Sequence, residues 1–161
     1  MNGLVRLVMA FLAVCLSSGS YAAGDLMFAR DLEQAQQGNP EAQYDLAYRY
    51  EKGRGTTEDE ELAFEWFLKA ANQGLDKAQY KIGVFYLKGQ GVDKDMPQAE
   101  AWLIKSADQG YPPAQYQLGK LYASRNEGGD YRLALDWLNK AQDSGYEPAT
   151  IEIRRVKRKL D

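Results

Sequence analysis

The residues best equipped for chemistry in this sequence are carboxylates, lysines and closely spaced glycines. Asp59-Glu60-Glu61 is the densest acidic cluster, and Asp93 and Asp95 form a second, looser one. Carboxylates so placed serve as a general acid–base pair or as oxygen ligands for a divalent cation. Gly53-Arg54-Gly55 and Gly89-Gln90-Gly91 have the spacing of loops that wrap a phosphate. The absences narrow the field further. There is no histidine, and the single cysteine is Cys15, close to the N-terminus. Without imidazole or a retained thiol, catalytic triads, Cys/His metal sites and cysteine nucleophiles drop out. Catalysis would need two facing carboxylates or an activated lysine, and no such pair stands out.

Each of these clusters has a plainer reading from the element that positions it. Asp59-Glu60-Glu61 opens a helix, where the macrodipole favours each negative charge by about 0.3–1 kcal/mol. Asp93 and Asp95 lack the remaining ligands and the glycine of a calcium loop, so neither metal nor cofactor is expected. A phosphate loop follows a strand and opens a helix, with a third glycine or a Lys-Ser/Thr behind it. Here the helical stretch Ala78–Lys88 precedes the glycines, and neither follow-up is present. The glycines turn the chain between two antiparallel helices.

The decisive pattern is internal repetition. Ala42-Gln43-Tyr44, Ala78-Gln79-Tyr80 and Ala114-Gln115-Tyr116 recur at a spacing of 36, as do Leu46, Ile82 and Leu118, and Tyr50, Tyr86 and Tyr122. Trp66, Trp102 and Trp137 follow, then Gly74, Gly110 and Gly145, the third unit being one residue shorter. Each unit reads as two helices. The first stacks Ala42, Leu46 and Tyr50 at i, i+4 and i+8, with the small Ala47, Gly83 or Gly119 beside them. The second carries stripes such as Ala63, Trp66, Phe67 and Ala70. Gly74, Gly110 and Gly145 fall where a left-handed residue ends a helix, and Pro40, Pro113 and Pro148 where the next begins. Tyr44, Tyr80 and Tyr116 recur at core spacing and are expected to be packing residues first, although a rim of tyrosines also grips peptides.

The N-terminal stretch is set apart from the fold. Leu7–Leu16 is an unbroken apolar run of ten residues, short of the ~20 that span a bilayer. Ser20-Tyr21-Ala22 supplies a small-x-small junction, so residues 1–22 read as an export signal cleaved after Ala22 or Ala23. The expected location is the periplasm, with secretion or lipidation at Cys15 (within Leu12-Ala13-Val14-Cys15) as alternatives. Removal of 1–22 takes away the cysteine and Arg6, moving the net charge from −3 to −4. That acidity argues against nucleic acid as a partner.

The string A-x-Y-x-L-G-x-x-Y-x-x-G-x-G-V…A-x-x-W-x-x-K-x-A-x-x-G resembles the Sel-one-like repeat (SLR), a relative of the tetratricopeptide repeat. Residues 78–111 match it almost throughout; 42–75 match with Ala47 for Gly and Thr56 for Val; 114–146 match at both ends, their loop ASRNEGGDY having lost the Gly-x-Gly. The resemblance implies an all-α fold, a right-handed α-solenoid of antiparallel helix pairs. The expected division is a capping helix at 23–41, repeats at 42–77, 78–113 and 114–148, and a second cap at 149–161. In the last, Arg154 replaces the small residue and Lys157 the tyrosine.

The resemblance also implies that first helices line the concave side. The face opposite the Ala/Leu/Tyr stripe then floors a groove with Asp45, Tyr48 and Lys52, then Lys81, Val84 and Lys88, then Gln117, Lys120 and Ser124. Four lysines against one aspartate point to a protein partner presenting an acidic segment. Arg154, Arg155, Lys157, Arg158 and Lys159 form a second basic cluster, read first as a soluble helix end; contact with an anionic membrane is the lesser alternative, since the helix lacks the large aromatic face of an interfacial one. The function so implied is a non-catalytic, exported interaction scaffold, an adaptor or regulator in a bacterial envelope. Alternatives are an immunity protein neutralising a delivered toxin and a cell-wall hydrolase; the β-lactam-binding relatives, however, depend on paired cysteines that are missing here.

Overall fold

Local signals start or stop most of the helices. In a computed structural model that describes residues 23–125 and 130–160, the regular structure is entirely helical. The export signal 1–22 with Cys15, the loop residues 126–129 and Asp161 lie outside the described residues. The helices are α1 (Ala23–Gln36), α2 (Pro40–Lys52), α3 (Glu60–Asn72), α4 (Asp76–Lys88), α5 (Met96–Asp108), α6 (Pro112–Ser124), α7 (Tyr131–Asp143) and α8 (Pro148–Lys157). Asn39 Oδ1 accepts from the Glu41 and Ala42 amides, Asp59 from the Leu62 amide and Asp95 from the Gln98 amide. Each such cap contributes about 1 kcal/mol. Asp59 is thus a cap rather than a base, and Glu60 and Glu61 fill the first turn of α3.

Two kinds of glycine turn fold the units. Gly53 and Gly89 end α2 and α4 in the left-handed region at φ 61° and 71°, donating to the Arg49 and Phe85 carbonyls. The loops close when the Asp59 and Asp95 amides donate back to the Tyr50 and Tyr86 carbonyls. At the other end of each pair, Gly74, Gly110 and Gly145 adopt φ of 93°, 88° and 79°. The next residues, Leu75, Tyr111 and Tyr146, donate to the Ala70, Ser106 and Ala141 carbonyls. This is the geometry of a Schellman motif, and it throws an apolar side chain back onto the helix pair.

Successive helices pack on one another as a right-handed solenoid, with α1 covering the first pair and α8 the last. The core runs the length of the stack through Leu46, Ile82 and Leu118 on the first helices and Phe67, Leu103 and Leu138 on the second, all fully buried. At the caps the pattern is exchanged for charge. Phe67 meets Phe85 edge to face within the stack. The corresponding pair one repeat earlier, Asp31 and Arg49, is an ion pair at 2.7 Å.

A glutamine ladder ties the repeats together. Gln43, Gln79 and Gln115 each donate to a carbonyl eight residues back, those of Ala35, Ala71 and Ala107. Gln73 then donates to Gln43 Oε1 at 2.7 Å, and Gln109 to Gln79 Oε1 at 2.8 Å and to the Gly74 carbonyl at 3.0 Å. In the third repeat this position is Ser144, whose Oγ turns to the Lys140 carbonyl. Gln115 Oε1 is left fully buried with no partner among the described residues. A buried acceptor without a donor costs about 1–3 kcal/mol. Ser144→Gln supplies the missing amide, and the urea midpoint is expected to rise by the equivalent of about 1 kcal/mol. An unchanged midpoint would mean that the new side chain does not reach Gln115.

Candidate protein-interaction face

The first helices present their tyrosines on one continuous surface. Tyr44 packs edge to face on Phe67 at 5.2 Å, Tyr80 against Tyr111 at 5.5 Å and Tyr116 against Tyr146 at 5.3 Å. Two of these partners are the residues that the Schellman turns throw back, so a local turn signal places two of the five tyrosines. Tyr111 also lies close enough to Tyr44 to act on its ionisation, although they belong to α2 and to the cap of α6, two first helices apart. Burial pushes the Tyr44 phenol up to about 12, with Tyr111 and Glu51 adding to the effect. Tyr80, Tyr111 and Tyr116 are raised too, again chiefly by burial. None of these hydroxyls, nor that of Tyr146, has a hydrogen-bond partner among the described residues. The expected packing role therefore describes the rings. The hydroxyls stay protonated at neutral pH and stand ready to donate.

The charges on this face are arranged differently from a simple count of lysines. Glu51, a residue outside the expected floor, sits between Lys81 at 2.6 Å and Lys52 at 3.1 Å. Burial pushes the Glu51 carboxyl up, but the hydrogen bonds and charges of Lys81 and Lys52 outweigh it and leave it below the usual range. Lys77, likewise outside that floor, pairs with Glu41 and lies 4.3 Å from the Tyr44 ring centre. Lys81 also lies 5.5 Å from the Tyr48 ring, while Val84 and Gln117 are half-buried and Ser124 Oγ donates to the Leu121 carbonyl. Asp45 is exposed on one side and covered on the other; that partial desolvation raises its carboxyl, Lys77 opposing and Asp31 and Glu41 adding to it. Lys88 and Lys120 are exposed, Lys120 lying 5.4 Å from the Tyr116 ring. The floor's positive charge is thus largely neutralised around α2 and survives further along.

A separate cluster forms where α6 ends and α7 begins. Glu100 of α5 accepts from the Tyr122 hydroxyl at 2.8 Å and from Arg125, whose guanidinium also faces Asp130 at 3.6 Å. Arg125 ends α6 in an extended conformation where Gly53 and Gly89 are left-handed, and Asp130 makes no side-chain cap where Asp59 and Asp95 do. Burial raises the Glu100 carboxyl, yet the Arg125 and Tyr122 hydrogen bonds leave it below its ordinary value. A lowered folded-state pKa stabilises above the unfolded value of about 4.3 and is lost as pH falls through the folded one. Glu100→Gln is expected to cost roughly 1 kcal/mol at pH 7, discounted for the exposure of Arg125. The gap to wild type should close in denaturation curves below about pH 4, and a gap that holds at low pH would mean the carboxylate's charge is immaterial.

Three consecutive copies of the Sel1 repeat model match residues 40–75, 76–111 and 112–146. This chain belongs to the Sel1 repeat family. The solved Sel1 repeat protein from Oxalobacter formigenes is 34% identical, with a TM-score of 0.69 over 72% of this chain and 48% of that one. A protective antigen of uropathogenic Escherichia coli strains with an SLR fold is 36% identical, with a TM-score of 0.70 over 76% of this chain and 26% of the antigen. An immunity protein from Pseudomonas aeruginosa is 22% identical, with a TM-score of 0.58 over 92% of this chain and 56% of that one, a likeness of fold alone. The chain spans under two thirds of the length of each. No curated protein is a significant match. Sel1 repeats build scaffolds that bind other proteins and are generally non-catalytic, so a protein is the partner class this family supplies.

Proposed function

We propose that this Sel1 repeat protein is an exported, non-catalytic adaptor or regulator of the bacterial envelope that holds an extended segment of another protein along its concave face. The observation that carries this reading is the run of five tyrosines, Tyr44, Tyr111, Tyr80, Tyr146 and Tyr116, with packed rings and free hydroxyls. Rings locked by packing lose little freedom on binding, so the surface is pre-organised. Phenol hydroxyls repeated from one unit to the next donate to the carbonyls of an extended chain without demanding one sequence. The envelope location is supported by Leu7–Leu16 and the Ser20-Tyr21-Ala22 junction.

The test keeps the rings and removes the hydroxyls. A variant with all five tyrosines changed to phenylalanine is expected to retain its helicity and its urea midpoint. Partners captured by wild type from an envelope extract should fall by about tenfold or more, each lost interfacial hydrogen bond costing roughly 0.5–1.5 kcal/mol. Equal capture by both proteins would remove the tyrosine face from the binding surface. Fractionation of cells expressing the full chain checks the location: recovery with the cytoplasm would end the envelope reading.

A further inference from the structure

We propose that the α6–α8 end of the concave face is a subsite for carboxylates carried on the partner's extended segment. The inference rests on the scaffold reading above and names the chemistry read at one end of it. Four observations converge there. Ile151 lies 35 residues beyond Tyr116, in the register of Tyr44, Tyr80 and Tyr116, and so extends the tyrosine row onto α8. It is also 68% exposed, the most exposed of the large apolar side chains among the described residues. Arg155 and Arg158 follow Ile151 at i+4 and i+7, on the same side of the helix. Lys120, in the middle of α6 and therefore away from any helix-end field, points its ammonium over Tyr116 on the same surface.

The contrast with the other end makes this a site rather than a solvated charge run. Lys52, Lys77 and Lys81 each already hold a carboxylate of α2. At the α8 end, Glu152 faces Arg155 at 3.3 Å, and Lys120, Arg154, Lys157 and Arg158 have no carboxylate partner among the described residues. Tyr116 feels both Glu152 and Arg155, which ties α8 to the concave surface through the end of the row. The macrodipole accounts for cations in the last turn of α8, but not for Lys120 or for an exposed isoleucine among them. Apolar contact on Tyr116, Tyr146 and Ile151 with cations alongside fits a segment that alternates an apolar side chain with Asp or Glu. It would lie with its acidic end toward α8, where the field is positive.

Selection from a random peptide library displayed on phage tests the chemistry without knowledge of the partner. Immobilised wild-type protein is expected to enrich Asp and Glu about threefold or more over the starting library, together with at least one apolar residue. Lys120→Gln/Arg155→Gln/Arg158→Gln alters exposed side chains and leaves an amide donor at 155 for the buried Glu152, so helicity should be unchanged while the acidic enrichment is lost. Lys52→Gln/Lys88→Gln serves as control and should keep it. No acidic enrichment by wild type, or enrichment that survives the triple substitution, overturns the subsite. Sedimentation with phosphatidylglycerol–phosphatidylcholine vesicles that depends on the same three residues also overturns it, assigning these cations to a lipid surface. Loss of the subsite alongside tyrosine-dependent capture leaves the scaffold reading standing; loss of both removes it too.

Discussion

Gly91→Ala lowers the stability of this protein by about 2–5 kcal/mol, the sum expected from left-handed strain and overpacking. The residue adopts φ 60°, and a Cβ there would stand 2.2 Å from the Glu60 carbonyl oxygen and 2.8 Å from the Glu61 amide nitrogen. These are backbone atoms at the start of α3, so no side-chain rotation relieves the clash. Gln90 donates to Glu60 Oε1 at 2.9 Å beside it, and the second unit's loop thereby docks on the first unit's second helix. The glycine pair that might have wrapped a phosphate instead lets one repeat's backbone approach the next. Gly74→Ala is the control: φ is 93°, but nothing lies within 4 Å of the added Cβ. It should lose only the conformational part, about 1–2 kcal/mol. Urea denaturation of both variants separates the two costs, and equal losses would show that close approach at Gly91 is unimportant.

Gly119→Ala is expected to destabilise, although alanine is the better helix former by about 1 kcal/mol. The added Cβ would lie 2.4 Å from Leu138 Cγ and 3.1 Å from the Ala134 carbonyl oxygen. Leu138 is fully buried, and its branch point rather than its tip makes the contact. Overpacking of this kind costs about 1–3 kcal/mol and outweighs the propensity gain in most of that range. The first repeat shows how the position is otherwise filled, with Ala47 on α2 and Phe67 on α3 both fully buried. Thermal or urea unfolding reads the sign directly. A more stable Gly119→Ala protein would mean that α6 and α7 yield easily and that propensity governs the site.

Most of the architecture was legible because each unit is local. Ala78, Ile82 and Tyr86 on one helix, Trp102 and Leu103 on the next, and Gly89 and Gly110 at the turns all act within 36 residues. A break in the same columns marks one seam. Gln73 and Gln109 give way to Ser144, and the orphaned Gln115 acceptor is its consequence. The function of the tyrosines was only half visible, since spacing shows that Tyr44, Tyr80 and Tyr116 recur but not which part of each side chain is covered.

The sequence by itself determined the repeat, its helix pairs, its turns and its half-unit caps, because propensity, capping and periodicity are properties of neighbours along the chain. It also excluded imidazole and thiol chemistry through composition alone. Only the tertiary structure decided which charges remain available. Lys81 reaches Glu51 across 30 residues, and Gly91 comes against the Glu60 backbone of the preceding repeat. Both contacts lie at a seam between successive repeats, and spacing along the chain does not specify how one repeat stacks on the next.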